Sequence, residues 1–164
     1  MKNPNSTKEP PELPECDTLV IAHQDGDLLY RLKRGGFSIA KGTISISVET
    51  EAVKEDQFPQ CAHLALERHP FNGPLRPGEL FEGQGGMFDD RDEGSAMAHG
   101  YFSFHAERIS VRWTVQAVEG DVALFRLEAT HDDVNYYDGR AKRTPTRGLF
   151  RLARKPRSRI WIPS

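Results

Sequence analysis

No stretch of this chain reaches the roughly 18 consecutive apolar residues that a membrane-spanning helix needs, so no transmembrane helix is expected. The opening residues, MKNPNSTKEPPELPE, contain no apolar core and no small-residue cleavage site. They do not read as a secretory signal, and a cytoplasmic protein is the expectation. Cysteine is scarce: Cys16 and Cys61 are the only two in 164 residues. The absence of a C-x-x-C excludes a zinc knuckle or a dithiol redox motif, and the expected compartment disfavours a disulfide. Apolar residues make up 37% of the chain, which is lean and fits one pair of packed layers in a single domain.

Catalytic signatures are missing as well. There is no G-x-S-x-G elbow and no G-x-x-x-x-G-K-[ST] phosphate loop. The glycines of GQGGMF, residues 83–88, do not lead from a clear strand into a helix, so they make a poor dinucleotide fingerprint. The acidic run DDRDEG, residues 89–94, fails the ligand pattern of a calcium loop in either register. The Cys-x-His-x5-His of Cys61, His63 and His69 places the two histidines about 240° apart on a helix, which rules out a shared zinc ligand face there. No metal and no cofactor are expected.

What is present is a β pattern. After a leader over residues 1–15, the segments 17–23 and 28–34 flank an Asp-Gly turn, a hairpin signal. In TISISVE, Ile44, Ile46 and Val48 alternate with Ser45, Ser47 and Glu49, the period of a half-buried strand. The same alternation runs through Ile109, Val111, Trp113 and Val115, and VALFRLEATH returns after the turn at 119–121. Residues 98–106, 148–154 and a short piece near Leu80 and Phe81 add further strands. Residues 58–70 are expected to form a helix, because Ala, Leu, Glu and Arg are good helix formers and prolines bracket the segment. Residues 71–94 read mostly as loop. GGFSIAKGTISISV from Gly35 also echoes GYFSFHAERISVRW from Gly100 at a constant offset of 65. The expected fold class is mainly β (all-β or α+β), an antiparallel β-sandwich or partly closed barrel with at most one or two short helices, over residues 16–164.

Charge is unevenly distributed. The net charge is −2, yet nine basic residues and no acid follow Asp138, which leaves −11 on the rest. Opposite charges pair across sheets, so the basic end reads as a last strand balanced by its neighbours. With few aromatics beside it, it is a poor platform for nucleic acid. The acids gather in two aromatic-flanked segments. One contains Asp89, Asp90, Asp92 and Glu93; the other contains Asp132, Asp133, Tyr136, Tyr137 and Asp138. Acidic surfaces with tyrosines suit capture of a basic protein, since charge steers the encounter and rings anchor it. The profile matches a bacterial immunity protein that neutralises a basic toxin. The alternative is a barrel with a small-molecule or acid–base pocket lined by His99, Tyr101, His105 and His131.

Overall fold

The computed structural model describes residues 13–22, 26–53, 59–86, 96–103, 105–132 and 143–156. Nine strands are present among them. They are β1 (Thr18–Ile21), β2 (Leu28–Ala40), β3 (Thr43–Thr50), β4 (His63–Pro70), β5 (Leu80–Gly85), β6 (Met97–Tyr101), β7 (Ile109–Glu119), β8 (Val122–Asp132) and β9 (Arg143–Ala153). They close into one barrel in the order β1-β2-β3-β4-β6-β5-β7-β8-β9, with β9 returning to β1. Every pairing is antiparallel except the single contact of β5 with β6. The mainly β expectation holds, and the barrel is fully closed. No helix among the described residues is long and apolar enough to cross a membrane.

Alternation decides which side chains point inward. Along β8, Ala123, Phe125, Leu127, Ala129 and His131 are buried, while the residues between them are half-exposed. β9 follows the same rule, with Thr144, Thr146, Gly148, Phe150 and Leu152 inward. The middle of the barrel is filled by Trp113, Phe125, Phe150, Phe37 and Phe81 with the aliphatic side chains of β3 and β4. Burying each large side chain contributes about 1.5–3 kcal/mol before entropy is counted. The indole N–H of Trp113 lies in this core without an acceptor among the described residues.

Residues 63–70 correct the helix expectation. HLALERHP is β4, hydrogen-bonded to β3 on one side and β6 on the other. Leu64 and Leu66 face inward opposite Val48 and Ile46. Helix propensity is worth only tenths of a kcal/mol per residue here, and two ladders outweigh it. The strand expected over 28–34 is longer: β2 runs on through Gly35 and Gly36 to Ala40, with its irregularity between Leu32 and Arg34.

The glycine-rich 83–86 segment is expected to be loop, but Gly83, Gln84 and Gly85 are the end of β5. Gly83 and Gly85 occupy inward positions where a side chain has no room. A Cβ at Gly85 would sit 2.0 Å from the Ala98 carbonyl oxygen, and one at Gly83 would sit 2.3 Å from Leu66 Cδ1. These glycines let β5 approach β4 and β6 closely.

The offset-65 echo is not a structural repeat. Its first copy is the β2–β3 hairpin, whose strands pair directly. Its second copy spans β6 and β7, which are separated by β5.

Three of the nine basic residues that follow Asp138 lie on the last strand: Arg143, Arg147 and Arg151. Arg143 lies opposite Asp132 and Arg147 opposite Glu128 in the β8–β9 register. Arg151 lies beyond them, its backbone N–H donating to the Asp17 carboxylate.

Candidate functional site

At one end of the barrel β5 and β8 end, and an acidic stretch of sequence follows each. β5 ends and β7 begins at this rim, with Gly85 opposite Ile109 and Ile109 opposite His131. Asp132 closes β8 opposite Arg143, the first residue of β9. The chain therefore leaves the barrel at Gly86 and again at Asp132 on one rim and re-enters at Arg143 on that rim, whereas β6, parallel to β5, starts at Met97 below the rim and runs up to it at Tyr101. β7 alone separates β5 from β8, so the two departure points are about 10 Å apart at ordinary strand spacing. The connections 22–27, 51–62 and 102–108 join strands at the same rim, as the β1–β2, β3–β4 and β4–β6 registers require.

Among the described residues, these five connections hold Asp27, Glu51 and Glu107 against Arg108. The opposite rim, at residues 41–42, 71–79, 120–121 and 154–156, holds Glu79 and Asp121 against Lys41, Arg76, Arg154 and Lys155.

The described part of the acidic rim is built rigidly. Asp132 Oδ2 accepts the backbone N–H groups of Glu107 and Arg108 at 2.7 and 2.9 Å. Arg143 braces the same corner, donating to the carbonyls of Arg108 and Thr130 at 3.1 Å. Asp132 thereby fastens the 102–108 connection across the barrel mouth. That connection inserts Phe102, fully buried, against the ring of His131, stacked with centroids 4.1 Å apart. His131 is itself buried. Its Nδ1–H donates to the Asp132 carbonyl at 2.9 Å, so Nε2 accepts the Thr146 hydroxyl at 2.6 Å. Held this way, the ring has both nitrogens engaged by the protein.

Of the acidic residues singled out in the sequence, Asp132 alone is described. It belongs to β8, and its carboxylate is committed to the fold. Asp89, Asp90, Asp92, Glu93, Asp133, Tyr136, Tyr137 and Asp138 lie outside the described residues, between the anchors just given.

The histidine set is divided by the barrel wall. His99 and Tyr101 face outward on β6, and His99 Nε2 lies 2.8 Å from Glu67 Oε2 on β4. The positive φ of Ser103, 66°, turns the chain after β6. His105 is therefore brought back beside Tyr101, with ring centroids 5.1 Å apart and an isolated bridge between the two residues. His105 does not continue the alternation that would have put it, His99 and Ser103 on one strand face. His131 is on the inside. The three outer residues form one surface group, and His131 is not part of it. Among the described residues, no three His, Cys, Asp or Glu are grouped to hold a metal ion. Cys16 and Cys61 are free thiols.

The fold and rim define an all-β closed barrel whose interior is occupied by its own side chains. No protein-family model, no curated protein and no solved structure matches the chain.

Proposed function

We propose that this protein is a non-enzymatic binding protein that captures a basic protein partner on the acidic rim, in the manner of an immunity protein that neutralises a toxin. The observation that carries the reading is that the two acidic stretches of the sequence, 87–95 and 133–142, follow β5 and β8, strands that end at one rim of the barrel. A concentration of one sign of charge at one pole raises the encounter rate with an oppositely charged partner and orients it. The rigid base beneath the rim, fastened by Asp132 and Phe102, suits an interface that keeps its shape on binding. The filled barrel favours recognition on the outside of the molecule over carriage of a ligand within it.

The test is affinity purification from the native host with the full chain and two variants. Wild type is expected to retain a stoichiometric partner of high isoelectric point. The variant Asp89→Lys/Asp90→Lys/Asp133→Lys is expected to lose it. Asp132 is left intact, because its loss would disturb the fold. Glu79→Lys/Asp121→Lys reverses charge at the opposite rim and is expected to keep the partner. Equal recovery by both variants would contradict the rim reading.

A further inference from the structure

A second feature lies on the barrel's outer wall, touching the rim at Asp27, and is independent of the reading given to the rim. The outward side chains of β5, β7, β8 and β9 form an open groove of about 810 Å³. Its floor is a cross-strand row of alternating charge: Glu82 opposite Arg112, Arg112 opposite Glu128, and Glu128 opposite Arg147. Arg126 stands two residues before Glu128 on β8 and pairs with it at 2.7 Å. Arg112 reaches Glu82 at 2.8 Å and Glu128 at 3.8 Å. The groove thus carries three guanidiniums and two carboxylates, an excess of one positive charge.

The two carboxylates occupy Arg112 fully and Arg126 in part. Arg147 is held differently. Its only described ion-pair partner is Asp27 at 3.3 Å, whose side chain is 52% exposed. Such an exposed pair is weak and exchangeable. The Arg147 Nε–H is buried and has no acceptor among the described residues. A buried donor without an acceptor is costly, and an oxygen supplied by a ligand would relieve that cost. Arg126 and Arg147 are diagonal neighbours on adjacent strands, with Cβ atoms about 7–8 Å apart by sheet geometry. Two guanidiniums at that spacing can close on one oxyanion, each presenting a planar fork of donors.

We propose that this groove is a binding site for a small molecule bearing an oxyanion, a carboxylate or phosphate group held between Arg126 and Arg147. The incoming group takes the place of Asp27 on Arg147 and accepts its Nε–H. Glu128 fixes Arg126 in position and limits affinity by its own charge. The volume is in the range of small-molecule sites.

The experiment is 1H–15N NMR of the arginine Nε–H groups in the full chain. Sodium phosphate and sodium malonate are titrated separately at constant ionic strength, with sodium chloride as the control. A saturable shift at Arg147 and Arg126 is expected. Saturation with phosphate alone identifies phosphate esters as the source, saturation with malonate alone identifies carboxylates, and saturation with both identifies the shared oxyanion chemistry. Arg147→Lys keeps the charge but loses the fork, and should weaken binding at least tenfold with the rest of the spectrum unchanged. Glu128→Gln should strengthen it. Non-saturating shifts equal to those caused by chloride would overturn the proposal, as would unchanged affinity in both variants. Neither result bears on the acidic rim, whose charge-reversal variant leaves the groove intact.

Discussion

Replacing Asp132 with alanine removes the acceptor that ties the barrel mouth to the end of β8. The carboxylate accepts two backbone amides, from Glu107 and Arg108, and lies 3.8 Å from Arg143. Hydrogen bonds to a charged group are each worth about 1.5–3 kcal/mol when buried. These two are at the surface, so water recovers much of the loss, and the Arg143 contact is that of a surface pair worth at most about 1 kcal/mol. The net cost should be about 1–2 kcal/mol. For a chain of this size, 1 kcal/mol moves the melting temperature by about 2–4 °C, so Asp132→Ala should melt about 2–8 °C below wild type. Urea unfolding should show a lower midpoint with an unchanged slope, because the surface exposed on unfolding is the same. Asp132→Asn keeps an oxygen acceptor but not the charge and should fall between the two. Amide exchange should rise first at Glu107 and Arg108. Wild-type stability in Asp132→Ala, with exchange at those two amides unchanged, would refute the view that this aspartate is a structural clasp.

Three further outcomes follow from the packing. Gly148→Ala would place a Cβ 2.4 Å from the Phe150 ring and 3.1 Å from the Thr18 carbonyl; overpacking of this kind should cost about 1–3 kcal/mol in urea unfolding. Trp113→Ala should cost about 3–5 kcal/mol through the cavity it opens. Trp113→Phe should cost far less by the same measurement, because it removes a buried N–H that has no described acceptor while keeping most of the ring volume. Asp27→Asn breaks only the exposed pair with Arg147 and should change the melting temperature by less than about 2 °C.

The parts of the fold visible in the sequence are those where apolar inward side chains alternate with polar outward ones, whether the outer side is half-exposed, as along β8, or buried, as at Ser45 and Ser47 on β3. Ile44 to Val48, Ile109 to Val115 and Val122 to His131 alternate cleanly, and each is a strand facing the barrel interior. β4 was hidden because its residues are good helix formers and its outward Ala65 is as buried as its inward Leu64 and Leu66. β5 was hidden because its inward positions include glycines, which carry no hydrophobic signal; only the close approach of Ala98 and Leu66 explains them. Closure itself was not legible, since it depends on the four residues of β1 bridging β2 and β9.

The candidate sites divide in the same way. The acidic segments were visible as composition, but their common rim came from strand order. The structural service of Asp132 needed the turn at 107–108, which lies 24 and 25 residues away. The Glu82–Arg112–Glu128–Arg147 row was missed altogether, because its members come from four strands and meet only through register. The signal available was an outward charge on each of those strands, which without pairing reads as ordinary solvated surface.

The central claim is that the acidic pole is the partner-binding end. Isothermal titration of the purified partner against the full chain, at low and high salt, tests it most directly. Asp89→Lys/Asp90→Lys/Asp133→Lys should weaken binding by more than tenfold at low salt and flatten its salt dependence. The groove variant Arg147→Lys should bind the partner as wild type does. Undiminished affinity in the triple variant, with the same salt dependence as wild type, would contradict the account.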